Sequence, residues 1–223
     1  MTIFDAMQCR HSVRSYLDKP IPSEAAAELN REIAACNLSG NLHIQLVTNE
    51  SRAFSGLLPH YGSFRGVRNY IALVGKSADD LEERIGYYGE HLVLKAQMLG
   101  LNTCWVALTM RKSVAKAQCQ MEPGEKLVCV LALGYGEHPG VPHKSKPMDA
   151  LCQAGEHPDW FRRGMEAAML APTAVNQQKF YFTRNGSLVS VKATGGFYAK
   201  VGLGIVKYHF ELGAGTDSFT WGA

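Results

Sequence analysis

The sequence predicts an α+β fold with a central mixed or antiparallel sheet flanked by helices. Three observations predict it. Segments with apolar residues at helical spacing alternate along the chain with short apolar or alternating runs that suit strands. The run Lys126–Gly136 (KLVCVLALGYG) is apolar almost throughout, which suits a central strand buried on both faces. Near the end, Tyr181–Arg184 and Leu188–Lys192 flank Asn185-Gly186, the strongest short-range hairpin signal.

The elements follow in order. Ile21-Pro22-Ser23-Glu24 opens a helix, with serine as candidate N-cap and glutamate in the first turn. Ala25–Cys36 carries alanine and leucine at helical spacing, and Asn37–Asn41 ends it with turn chemistry. Leu42–Thr48 alternates as a strand does, whereas Phe54–Arg68, rich in glycine and aromatics, reads as a loop. Tyr70–Gly75 is a buried strand. Ser77–Glu83 then gives the cap and first turn of a helix running through Gly86–Leu99. Tyr88, Leu92, Ala96 and Leu99 form its stripe, and Gly100 is the stop. Ser113–Cys119 is a short helix, and 138–148 is a proline-punctuated loop. Asp159 is the candidate cap of a helix over Trp160–Leu170, and Val201–Leu212 reads as the last helix. Its V-G-L-G is not a dinucleotide fingerprint, because the third glycine and the βαβ setting are missing.

Bulk properties narrow the function. A length of 223 residues suits a single unit over 1–223, with approximate pseudo-halves 1–150 and 151–223. A net charge of +3, with no basic block interleaved with aromatics, argues against nucleic acid. The six cysteines form no C-x-x-C pair, so they read as free thiols of a reducing compartment, and no metal site is expected. Asp5, Arg10 and Arg14 interrupt any signal-peptide core. No stretch approaches the ~18 apolar residues of a membrane span. The expectation is a cytoplasmic protein with no membrane partner.

The chemistry begins at Arg10-His11-Ser12-Val13-Arg14-Ser15-Tyr16. If this segment runs extended, Arg10, Ser12 and Arg14 point the same way. Two guanidiniums and a hydroxyl on one face grip a doubly charged phosphate through charge-assisted bonds. Two solvated surface arginines are the plainer alternative. R-H-S-V-R-S-Y resembles the opening flavin-binding signature of the FMN-dependent nitroreductase family. Further segments resemble the same family. Leu101-Asn102-Thr103-Cys104-Trp105 is similar to its G-L-x-[ST]-C-W stretch, and the L-A-L-G-Y-G ending at Gly136 matches as well. Lys144 and Lys146, just before Pro147, take the place of a basic pair. Ala171-Pro172-Thr173-Ala174-Val175-Asn176-Gln177-Gln178-Lys179-Phe180 is the most specific match, to A-P-[ST]-x-x-N-x-Q-P-[WF], with Lys179 in place of the proline. Here a proline-broken helix end leaves free backbone groups, and Thr173, Asn176 and Gln178 add donors and acceptors at short reach.

The resemblance implies bound FMN. It would be contacted by Arg10, His11, Ser12, Arg14, Thr103, Cys104, Trp105, Lys144, Lys146, Pro172, Thr173, Asn176 and Gln178. Arg10, Ser12, Lys144 and Lys146 would anchor the phosphate. Thr103 to Trp105 would pass the ring edge by backbone, and Arg14 would stabilise charge near flavin N1/O2. Cys104 has no histidine or second thiol assigned to it by spacing, so a redox nucleophile is not expected. The implied activity is hydride transfer from NADH or NADPH to flavin N5, then electron transfer to a nitroaromatic, quinone or similar acceptor. The alternatives are a flavin store or sensor without nicotinamide-driven turnover, or a dehalogenase or flavin-destructase type of relative. Tyr61, Phe64 and Tyr88 are candidates to stack over the flavin, with core packing as the competing fate.

The order of motifs is unusual. A helix, turn and strand occur twice, over Ala25–Thr48 and Trp160–Arg184, and only the second turn carries the good copy of the proline signature. Family members are homodimers with FMN between subunits. A chain with a second, partial copy resembles the putative "TM nitroreductase" branch of this family, and the expectation is either a single-chain pseudo-dimer, monomeric with one FMN, or a homodimer.

Overall fold

A strand with no polar side chain to offer water must be covered on both faces and paired on both edges. The computed structural model, which describes residues 1–55 and 64–222, meets that demand at β4 (Glu125–Gly134), buried from Leu127 onward. It lies inside a four-stranded antiparallel sheet of order β1 (Gln45–Val47), β2 (Asn69–Lys76), β4, β3 (Asn102–Val106). A second sheet holds the expected hairpin of β5 (Phe180–Asn185) and β6 (Leu188–Ala193), extended by a short parallel β7 (Thr220–Trp221). The fold class is thus α+β with one antiparallel and one mixed sheet.

Contacts divide the chain into two compact units: Met1–Leu81 with Leu92–Pro142, and Glu82–His91 with His143–Ala223. The first holds α1 (Ile3–Cys9), α2 (Ser23–Gly40), α4 (Lys112–Ala117), the four-stranded sheet and the later half of α3 (Leu81–Met98). The second holds the earlier half of α3, α5 (Asp159–Ala168), α6 (Ala199–Ala214) and the three-stranded sheet.

Several boundaries differ from expectation for local reasons. Pro22 is the N-cap and Ser23 already helical, and likewise Pro158 precedes Asp159, whose carboxylate accepts from Arg162 at 2.5 Å instead of capping. Helix α2 runs through Asn37–Gly40 and stops only at Asn41, which takes φ 47°. The strand after it is short because the Asn37 amide bonds both the N–H (2.7 Å) and the carbonyl (2.9 Å) of Ile44. The hairpin turns one residue later than expected. Asn185 pairs with Leu188, and Gly186 alone has positive φ, 61°, which suits a turn with glycine first. Burial along α3 is not one stripe: Leu81, Ile85, Gly86, Gly89, Glu90, Leu92, Val93, Leu94 and Ala96 are all buried, while Tyr88 and Leu99 are partly exposed. Tyr61 lies outside the described residues. Phe64 meets Phe54 edge-on at 5.3 Å and packs on the first unit's core, and Tyr88 meets Tyr87 edge-on at 5.1 Å.

In the second unit, the earlier half of α3 and α6 approach at backbone distance. A β carbon on Gly204 would stand 1.9 Å from the Glu83 carbonyl oxygen, and one on Gly86 2.0 Å from that of Val201. Around this crossing, polar groups pair: Glu83 with Lys207, Tyr87 with Glu211, and His91 with Tyr208. Deepest are Glu90 and His209, each 0% exposed, with Oε1 and Nε2 3.0 Å apart. The other ring nitrogen of His209 donates to the Ala167 carbonyl at 3.0 Å, which ties α5 into the same contact. Phe182 stacks on Phe210 at 4.8 Å and Phe161 meets it edge-on at 5.5 Å, an aromatic centre for this unit.

Two stability predictions follow from these contacts. Gly204→Ala has no room for its methyl group and should lose about 3 kcal/mol or more in urea unfolding, the upper end of overpacking costs. Glu90→Leu leaves a buried imidazole facing hydrocarbon and should cost about 3–5 kcal/mol, whereas Glu90→Leu with His209→Phe should recover most of it.

Candidate functional site

The first unit brings the N-terminal motif together. Residues 10–17 do run extended, stitched between two strand ends. The Val13 N–H donates to the Thr103 carbonyl (3.0 Å), the Leu17 N–H to that of Tyr135 (2.8 Å), and Ser15 accepts from the Glu137 N–H (2.9 Å). Val13 and Tyr16 turn into the core, each 4% exposed. The neighbouring backbone lies so close that glycine is required beside it. A β carbon on Gly136 would meet Val13 Cγ1 at 2.9 Å, and one on Gly140, where φ is +79°, would meet His11 Cβ at 2.8 Å.

Arg10, Ser12 and Arg14 all lie within electrostatic or hydrogen-bonding reach of Cys104 in β3. Burial pushes the Cys104 thiol up, and the Arg14 guanidinium, a hydrogen bond with Ser12 and then Arg10 only partly pull it back. The segment thus brings all three residues to one neighbourhood. Exposure along it is graded: Arg10 is buried, Ser12 intermediate and Arg14 exposed. Among the described residues, no carboxylate pairs with Arg14. His11 and Trp105 are partly buried and Thr103 is buried. Tyr16 was not singled out by sequence reasoning, yet it belongs to this cluster. Its hydroxyl donates to the Val13 carbonyl (2.8 Å), and burial holds its phenol well above the usual range, with Cys104 adding and Arg14 opposing.

The second unit gathers the other set. After α5 and Pro172 the chain makes a tight turn in which Val175 (φ 46°), Asn176 (φ 53°) and Gln178 (φ 47°) are all left-handed. Such a conformation costs on the order of 1–3 kcal/mol per residue, and a β-branched valine is the least suited to it. A hydrogen-bonded network holds it. The Gln178 N–H donates to the Thr173 hydroxyl (3.0 Å), and the Gln178 amide donates to the Lys144 carbonyl (3.1 Å) and to Asn176 Oδ1 (3.0 Å). The Lys146 N–H donates to Gln178 Oε1 at 2.7 Å, and the Lys146 ammonium to the carbonyls of Gln177 (2.9 Å) and Gln178 (3.3 Å). Asn176 Nδ2 donates to the Lys144 carbonyl at 2.9 Å. Ser145 and His143, unnoticed in the sequence, sit on the Met169 carbonyl at the end of α5, at 3.1 and 3.0 Å. The all-polar run His143-Lys144-Ser145-Lys146 was the available signal.

A family model described as "Putative TM nitroreductase" matches residues 2–214. This chain belongs to that family. Solved structures agree at the level of fold. A putative nitroreductase from Thermotoga maritima superposes with a TM-score of 0.65 at 22% identity, covering 95% of this chain and 83% of its own. A putative nitroreductase from Desulfovibrio desulfuricans, in complex with FMN, gives 0.56 at 16% identity, covering 71% and 99%. A putative NADH dehydrogenase/NAD(P)H nitroreductase from Parabacteroides distasonis gives 0.55 at 19% identity, covering 70% and 98%. No curated protein matches the chain.

The donor chemistry of this nitroreductase-family chain fits FMN in each unit taken alone. Among the described residues no carboxylate pairs with Arg14, and Arg10 and Ser12 belong to the same segment, which suits a phosphate or another electron-rich edge. In the turn, the Thr173 hydroxyl hydrogen and one Asn176 amide hydrogen are uncommitted among the described residues, while Gln178 is fully occupied internally. No cluster of three or more His, Cys, Asp or Glu among the described residues could hold a metal ion, and no helix among them is long and apolar enough to cross a membrane.

Cys104 and Tyr16 keep their protons to higher pH in the fold than in the unfolded chain. Their contribution to stability is full below the ordinary values of 9.0 and 10.0 and is lost as pH rises past them. Cys36, pushed up to about 12 mainly by burial, behaves the same way. The urea midpoint should therefore fall from about pH 9 upward, and Cys104→Ala should make the decline shallower.

Proposed function

We propose that this chain is an FMN-dependent oxidoreductase that uses NADH or NADPH to reduce nitroaromatics, quinones or similar small acceptors. The observation that carries the reading is that Arg10, Ser12 and Arg14 all lie within electrostatic reach of Cys104, on a segment fixed at Thr103 by the Val13 N–H, with no carboxylate among the described residues paired to Arg14. Family membership and the FMN-bound relative support the choice of cofactor.

When bound, FMN supplies hydride acceptance and electron release, which no side chain of the chain provides. The protein's task is to bind, orient and tune. In the first unit, Arg10 and Ser12 are the anchors for the phosphate. Arg14 is the cation that offsets negative charge on the ring as it becomes electron-rich, a pre-organised electrostatic role. Cys104 stays a neutral thiol beside it, because burial outweighs both arginines. It fills space without offering a competing nucleophile. Thr173 and Asn176 offer the turn's remaining donors to polar atoms of the cofactor. No general base is required.

The test is a visible spectrum of the purified protein after FMN is added, followed by NADH or NADPH without oxygen. The expected result is a flavin band that bleaches rapidly. No band at all overturns the assignment, and a band inert to both nicotinamides leaves a flavin binder. Arg14→Ala should keep the fold and lower kcat by about a hundredfold, the scale for loss of one transition-state donor.

A further inference from the structure

The two loop lysines have different surroundings, and the difference separates their roles. The Lys144 side chain is exposed, and the loop uses only its backbone carbonyl, which accepts from both Asn176 and Gln178. Lys146 is half-buried and uses its side chain inward. Its ammonium bonds the carbonyls of Gln177 and Gln178, and its backbone N–H bonds the Gln178 side chain. Those two carbonyls belong to the stretch where three non-glycine residues are left-handed. A strained turn of this kind persists only where its surroundings over-determine it. Gln178, 5% exposed, closes the remaining polar positions.

We infer that Lys146 and Gln178 are positioning residues and not flavin contacts. Together they lock the 173–178 turn so that Thr173 and Asn176 present their free donors, and Lys144 alone of the pair meets the phosphate. The inference rests on the proposed FMN reading for its Lys144 part. The lock itself is a property of the 143–178 network and can be read without flavin.

The experiment compares FMN with riboflavin, which lacks the phosphate, in titrations of the flavin-free protein and its variants. Lys144→Ala should weaken FMN about tenfold or more, the value of a charge-assisted bond, and change riboflavin by less than about twofold. Lys146→Met should weaken both flavins by the same factor, because the turn and not the phosphate contact is lost. Lys146→Arg, which can still donate to two carbonyls, should restore both. Hydrogen exchange at the 173–178 amides supplies the flavin-independent readout, with protection expected to fall in Lys146→Met and Gln178→Ala, persist in Lys144→Ala and return in Lys146→Arg. A selective loss of FMN over riboflavin in Lys146→Met would overturn the division of roles, as would unchanged exchange in that variant. If the unmodified protein binds neither flavin, the cofactor reading and the Lys144 role fail together, while the exchange data still decide the lock.

Discussion

The structure of the first unit depends on one extended segment being sewn between two strand ends by backbone hydrogen bonds. Val13 to Thr103, Leu17 to Tyr135 and Glu137 to Ser15 hold residues 10–17 at a fixed register. Register matters here, because a slip by one residue would take Val13 out of the core and move every side chain of the segment relative to Cys104. With this register, Val13 and Tyr16 enter the core, and Arg10, Ser12 and Arg14 come within electrostatic reach of Cys104. The glycines at 136 and 140 let the neighbouring backbone come close enough for the stitching, which explains why an apolar strand ends in Gly-Tyr-Gly.

The second unit solves a different problem. Its helices are drawn to backbone contact at Gly86 and Gly204, and small residues there let polar partners such as Glu90 and His209 meet away from water. The turn at 173–178 is strained and would relax in isolation. Lys146, Gln178 and the carbonyl of Lys144 hold it in place, so cationic and amide groups here serve shape first and any ligand second.

Much of the architecture was legible because it rests on patterns with a local cause. The central apolar strand, the helices over 23–40, 81–98, 159–168 and 199–214, and the hairpin near Asn185 all follow from periodicity and turn chemistry. Misplaced boundaries came from side chains that compete with the backbone, as Asn37 does at Ile44, and from a proline taking the cap position next to Ser23 or Asp159. The N-terminal cluster was legible through the period of an extended chain. The network around Gln178 was only half legible: its residue types were visible, but which groups bond one another was not.

By itself, the sequence determined that the chain has an α+β fold, that residues 10–14 carry cations and a hydroxyl on one side, and that a proline-broken helix end carries amides. These follow from backbone periodicity and residue chemistry, which act over a few positions. Only the tertiary structure decided that Cys104 lies at the focus of the arginines, that Tyr16 joins them, that the earlier half of α3 belongs with α6, and that Lys146 faces inward while Lys144 faces solvent. Those facts depend on groups from dozens to more than a hundred positions apart, where packing, burial and hydrogen-bond satisfaction select among arrangements that local pattern leaves equal.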